Sequence, residues 1–329
     1  AATVADTLCD LDWATALPSD PVDPPTLAMV FSVNDSPLAG QSGKKVTSRV
    51  IRARLLAEAE GNVAIRVREV EGGDAYEVAG RGELQLGVLI ETMRREGFEL
   101  SIARPRVITR TDPETGALLE PFEEVVVDVD DVHSGVVVEQ IAKRKGHLED
   151  MRPSGGGKTR LRFTAPSRGL IGYHGSFLTD TRGTGVMTRI FSHYAAHAGP
   201  IAGRRNGVLI SNTGGRSVAY ALFNLQERGE MFLGAGADLY SGMIIGEHSR
   251  GNDLEVNPTK GKQLTNIRTS STDEAVRLTT PRQMSLEQAV AYVQNDELVE
   301  VTPGTIRLRK RHLDTHVRKR AARTLAEAG

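Results

Sequence analysis

Arg81-Gly82-Glu83-Leu84-Gln85-Leu86-Gly87-Val88-Leu89-Ile90-Glu91-Thr92-Met93-Arg94-Arg95-Glu96-Gly97 is the stretch that decides the fold. Leu86, Leu89, Ile90 and Met93 fall at i, i+3, i+4 and i+7, an apolar helical stripe that Gly97 stops. A second Arg-Gly pair stands 87 residues further on, where Arg168-Gly169-Leu170-Ile171 opens a helical stretch closing at Gly183. Around the first copy, Leu27, Met29, Phe31 and Val33 alternate with the period of a half-buried strand. Thr47 or Ser48 is placed to cap a helix that buries Ile51 and Leu55 and ends at Gly61. Val63, Ile65 and Val67 alternate again, Tyr76 and Val78 make a short partner strand, and Phe98, Leu100 and Ile102 supply the last one. The order is strand, helix, strand, strand, helix, strand.

The second copy has the same order. Val125 to Val129 predicts a strand, followed by a helix capped near Ser134 with Val138 and Ile141 inward and Gly146 as its stop. His147 to Arg152 and Arg160 to Ala165 predict two strands around a Ser154-Gly155-Gly156-Gly157 turn. The Arg168 helix and a strand over Val186 to Ile190 complete it. Beyond about residue 195 the pattern changes to glycine-punctuated strands at Val208 to Ser211, Ala219 to Leu225, Met231 to Leu233 and Met243 to Gly246. A helix capped by Ser285 precedes the strands Leu298 to Val301 and Thr305 to Leu308. The expected class is α+β: two ferredoxin-like βαββαβ domains, 25–103 and 104–195, then a β-rich third domain, 196–329. The proline-rich stretch Leu17 to Pro25 reads as an extended linker.

Composition agrees with two or three domains for 329 residues. A net charge of −1 gives no global signal for nucleic acid, but from Thr305 onward eight basic residues face two acidic ones. A lone Cys9 excludes a disulfide framework within the chain and suits a reducing, cytoplasmic setting. No signal peptide or apolar run of membrane-spanning length appears, so no membrane partner is expected.

Catalytic patterns fail one by one. Gly157-Lys158-Thr159 lacks the first glycine of a phosphate loop, since Arg152 stands there, and Thr159-Arg160-Leu161-Arg162-Phe163 alternates like a strand instead of opening a helix. His193 with His197, and His312 with His316, are spaced i, i+4, but two ligands do not make a metal site and no glutamate of a His-Glu-x-x-His motif follows either. Asp130-Asp131 and Glu123-Glu124 are neighbours on strands, so their side chains point to opposite faces. No catalytic residue, metal or cofactor is expected in this chain.

Binding patterns are stronger. Arg307, Arg309 and Arg311 alternate along a strand, with Lys310 between the last two, so one face is expected to carry three guanidiniums. Arg318, Lys319, Arg320 and Arg323 extend the charge along a helix. Guanidiniums match phosphate bidentately, which suits an RNA backbone as well as a merely solvated surface. The polar stretch Ser249 to Arg268 is the second candidate, with Arg250, Lys260, Lys262 and Arg268 flanked by Asn and Thr donors.

At these residues the chain resembles a known family. The tandem units, GRGELQLGVLIETMRREGFEL (80–100), SRGLIGYHGSFLTDTRGTGVM (167–187), NGVLISN (206–212), the Lys260 loop and LVEVTPGTIRLRKRHL (298–313) look like the BipA/TypA family of translational GTPases, from about Val4 to Arg323. The Arg-Gly units alone are shared with elongation factor G. The resemblance implies domains like the third and fifth of elongation factor G, a family-specific last domain, and binding to the ribosome through rRNA and A-site tRNA. It further implies a role in large-subunit assembly and in stress or cold adaptation. The family's GTPase domain and β-barrel come ahead of these segments, so residues 1–24 resemble a barrel remnant with its linker. GTP and Mg are expected only in that missing region. A tandem ferredoxin-like regulatory module binding a small molecule is the other class these units allow. Self-association is not readable from the sequence.

Overall fold

A computed structural model describes residues 7–10, 12, 15–18, 24–72, 74–261 and 277–328. In chain order it runs β1 (Leu27–Val33), α1 (Ser48–Gly61), β2 (Arg66–Glu69), β3 (Ala75–Gly80), α2 (Glu83–Arg95), β4 (Leu100–Ala103), β5 (Arg106–Val107) and β6 (Arg110–Thr111). Next come β7 (Leu118–Asp130), α3 (Asp131–Lys143), β8 (His147–Gly155), β9 (Lys158–Pro166), α4 (Ser167–Leu170), α5 (Tyr173–Asp180) and β10 (Val186–Ala196). The remainder is β11 (Val208–Ser211), β12 (Gly215–Arg216), α6 (Ala219–Leu225), β13 (Gly229–Met231), β14 (Asp238–Leu239), β15 (Met243–His248), β16 (Leu254–Val256), α7 (Leu286–Tyr292), β17 (Glu297–Val301), β18 (Ile306–Lys310) and α8 (Thr315–Ala328). The described residues form two compact units. One takes those up to 33 with 45–98 and 104–202, the other 34–44, 99–103 and those from 203 on.

The first unit holds both Arg-Gly lobes. In the earlier lobe β1 pairs antiparallel with β3, and β3 with β2. The apolar stripe of α2 (Leu86, Leu89, Ile90, Met93) and the Ile51 and Leu55 of α1 are buried, as their periodicity predicts. The later lobe is a complete ferredoxin-like unit with strand order β10-β7-β9-β8. Val125, Val127, Val129, Leu161 and Phe163 line its core against Val137 and Ile141 of α3 and Phe177 of α5. Helix α3 starts at Asp131, three residues before the expected cap, and turns Val137 inward with Ile141 while Val138 is only partly buried. Gly156 and Gly157 link β8 to β9 at φ +63° and +75°, a two-residue hairpin turn that needs left-handed backbone twice. Thr159 lies on β9 and hydrogen-bonds Asp131, so the Gly-Lys-Thr stretch is a hairpin.

The second Arg-Gly helix departs from expectation. It breaks at Gly172, φ +71°, into α4 and α5. That left-handed residue aims its N–H at Glu83 Oε2 of the earlier lobe, 2.9 Å away. The other Glu83 oxygen meets Arg189 Nη1 at 3.1 Å, while Arg189 also grips Glu123 at 2.7 and 3.1 Å. The first residue after the Arg81-Gly82 pair is therefore the clasp between the lobes.

In the second unit the order is β16-β11-β15-β18-β17-β4, antiparallel except for β11 and β16. Its β4, a strand as the alternation of Leu100 and Ile102 predicts, pairs antiparallel with β17. Leu209, Met231, Tyr240, Met243 and Ile245 pack with Leu222 and Leu225. Ala219 to Leu225 is a helix, not the expected strand, because its buried residues Ala221, Leu222 and Leu225 repeat at helical spacing. Helix α7 begins with a full capping box between Ser285 and Gln288. Among the described residues no helix is long and apolar enough to cross a membrane, and no group of three or more His, Cys, Asp or Glu could hold a metal ion.

Candidate nucleic-acid interface

The strand expected to present Arg307, Arg309 and Lys310 as an exposed basic face is β18, and its charges are spent inside the unit. The β17–β18 register sets Glu300 opposite Arg307 and Glu297 opposite Lys310. Arg307 clasps the fully buried Glu300 through Nε at 3.0 Å and Nη2 at 2.7 Å. Arg309 is 1% exposed, ion-paired to Asp35 and hydrogen-bonded to Ser101. Lys310 is surrounded by Asp253 at 2.6 Å, Asp296 at 2.8 Å and Glu297 at 2.9 Å, and Glu297 also binds Arg204. Buried charges persist only when paired, so these side chains hold the sheet together and offer nothing to a phosphate. The expectation of a three-guanidinium face is corrected accordingly.

Two buried carboxylates of this unit, Glu300 and Glu99, are held ionised. Burial pushes Glu300 up, but the Arg307 guanidinium, with Tyr240 and Asn34 as donors, outweighs it and holds the group down at about 2. Glu99 is also buried yet held below the ordinary carboxylate range, because the backbone N–H groups of Gly43, Gly40 and Ser42 and the Asn34 amide all donate to it. Asn34 thus bridges Glu99 and Glu300.

Exposed cations lie elsewhere. Arg250, Lys260 and Arg311 are exposed, Arg311 just past the end of β18. On α8, Lys319, Arg320 and Arg323 are exposed with His316, one basic helical face, while Arg318 is tied to Glu255 at 2.8 Å. Lys262 and Arg268 lie outside the described residues. The exposed Arg228, which the sequence reading passed over, lines the same cavity as Lys260. Its signal was the helical spacing Tyr220, Asn224, Arg228, hidden while that segment read as a strand. His193 lies on β10 and stacks on Phe122, with no metal-binding group around it among the described residues.

Two family models match the chain: the elongation factor G C-terminus over 117–205 and the TypA/BipA C-terminal domain over 206–315. The first coincides with the complete ferredoxin-like lobe and the second with most of the β16-to-β17 sheet. Together they define two modules, one of the elongation factor G C-terminal kind and one of the TypA/BipA C-terminal kind. Over 321 residues, 97% of its length, the chain is 54% identical to proteins of Salmonella typhimurium and of Escherichia coli strain K12. It is 53% identical over 322 residues to one of Haemophilus influenzae. Each of those proteins bears the name large ribosomal subunit assembly factor BipA. The chain belongs to the BipA/TypA family, and it spans about half the length of these curated relatives, 53% of the first and 52% of the last.

Proposed function

We propose that this chain is the ribosome-facing part of a BipA/TypA-type factor, binding rRNA and A-site tRNA in support of large-subunit assembly and stress adaptation. The observation that carries this reading is identity above one half, over nearly the whole chain, to proteins named as large-subunit assembly factors. Three regions divide the work: residues 25–103 and 104–195 as the ferredoxin-like modules, and 196–329 as the family-specific one. GTP binding and hydrolysis, with Mg, belong to protein outside these 329 residues.

Contacts to RNA come from cations that the fold leaves exposed, Arg250, Lys260 and Arg311 with the Lys319, Arg320 and Arg323 face of α8; Lys262 and Arg268 belong to the same stretch as Lys260. Phosphate contacts release counterions, so affinity falls steeply with salt. Co-sedimentation of the chain with ribosomes and isolated subunits across a salt series tests the proposal. Replacing Lys260 and Lys262 by alanine is expected to weaken binding and flatten the salt dependence, with thermal stability nearly unchanged. Wild-type sedimentation by that variant at every salt concentration refutes the role of this stretch, and no sedimentation of the parent chain refutes the ribosome reading itself.

A further inference from the structure

Helix α6 leaves one stripe of its surface uncovered. Ala221, Leu222 and Leu225 are buried, but Tyr220 is 39% exposed and Asn224 points the same way one turn on. Arg228, a further turn along, continues the stripe beyond the helix end. Across from it, Leu254 and Val256 of β16 and the following Lys260 complete a cavity of about 410 Å³. The wall is anchored at both sides. Val218 N–H donates to Pro258 O at 3.0 Å, and Asn257 Oδ1 accepts from the N–H and hydroxyl of Thr259 at 2.9 and 2.8 Å, which fixes the turn that delivers Lys260 to the rim. Glu255, the acid of this wall, is committed to Arg318 and Thr315. Among the described residues, neither Arg228 nor Lys260 has a carboxylate partner.

A flat aromatic ring, an apolar floor and two uncommitted cations at the rim form a set that matches one ligand chemistry well. We infer that this cavity takes an unpaired ribonucleotide, its base stacked on Tyr220 above Leu254 and Val256, its phosphate held by Lys260 and Arg228. The volume lies within the range of small-ligand pockets, and stacking on an aromatic side chain accepts any base, since every base has a π face. An acidic peptide would satisfy the cations, but it has no planar group that needs both the ring and the slot. The inference rests on the RNA-binding reading and adds to it a single-strand subsite that reads an unstacked base, where the other exposed cations meet only phosphate.

The test uses the whole chain and two fluorescent RNA hexamers of equal charge, oligo(A) and its abasic counterpart, followed by anisotropy over a salt series. Stacking on one aromatic side chain is expected to make oligo(A) bind about 5- to 150-fold tighter than the abasic strand. Tyr220→Ala should erase that preference without altering the salt slope, while Tyr220→Phe should keep it. Lys260→Ala should instead lower the slope by roughly 0.7 for both strands and leave the base preference in place. A Tyr220→Ala chain that still prefers oligo(A) overturns the pocket assignment. So does a parent chain that binds both hexamers alike, and if that chain still sediments with ribosomes the broader reading survives. A parent chain that binds an oligoglutamate peptide more tightly than either RNA gives the cavity to a protein partner instead.

Discussion

Glu300→Gln is the substitution whose consequence follows most directly from the geometry. The carboxylate is fully buried and accepts from Arg307 Nε and Nη2, Tyr240 Oη at 2.7 Å, Asn34 Nδ2 at 2.9 Å and Ser36 Oγ at 2.8 Å. A glutamine offers one acceptor oxygen to these donors and sets its own N–H₂ against others. Arg307 loses its counterion inside the unit. Breaking one side of such a pair costs about 3–5 kcal/mol.

The depression of the Glu300 acid by the same contacts gives a second magnitude. The group lies at about 2 in the folded chain against an ordinary 4.5, which is worth about 3 kcal/mol when each decade is 1.36 kcal/mol. The sign is that of a depressed acid: the folded chain keeps the carboxylate ionised where the unfolded chain protonates it. The contribution is therefore complete above about pH 4.5 and fades as the pH falls toward 2. Urea unfolding followed by circular dichroism, repeated between pH 7 and pH 2, should show a gap between parent and variant of about 3 kcal/mol at pH 7. That gap should shrink steadily below about pH 4.5. A variant that unfolds with the parent at pH 7, or a gap that ignores pH, refutes the buried ion pair.

Three further outcomes are expected. Leu89→Ala removes a side chain that is 4% exposed under the earlier lobe and should lower stability by about 2–5 kcal/mol in chemical denaturation; an unchanged midpoint would mean the helix face is misassigned. Arg189→Met cuts the clasp to Glu83 and Glu123, so calorimetry should show the two lobes of the first unit melting in separate steps, with protease cutting faster between residues 103 and 117. Gly229→Ala would set a methyl inside contact distance of Glu247 O. Such overpacking costs about 1–3 kcal/mol, read as a lower thermal midpoint, whereas no change would place β13 elsewhere.

The repeat was legible because two periodicities survive in it: the 3.6-residue stripe of α2 and the alternation of β1 and β7 depend only on neighbours in sequence. What failed was whatever depends on a distant partner. Leu100 and Ile102 read correctly as a strand, but no local feature tells that β4 also pairs with β17, nearly 200 residues away. Ala219 to Leu225 holds four apolar residues beside its two aromatics, so over seven residues strand and helix patterns cannot be separated until the buried face is known. The Gly172 N–H at the helix break meets Glu83, which lies in the other lobe and could not be paired with it from local pattern.

The basic strand teaches the same lesson about charge. Alternation correctly placed Arg307 and Arg309 on β18, but alternation states only that residues share a face, and a face can look inward. The deciding signal was in the same motif. A hairpin closing through Thr302 and Thr305 must set residues opposite one another in pairs of constant sum, and that arithmetic places Glu300 against Arg307 and Glu297 against Lys310. Cross-strand opposite charges at two registers mark an ion-paired hairpin, not a phosphate-binding one. A cation is available to RNA only when no acid stands across the ladder from it. By that criterion Lys260, in a turn with no opposing strand, and Arg311, one residue beyond the end of β18, are the positions of this region from which contact with phosphate is expected.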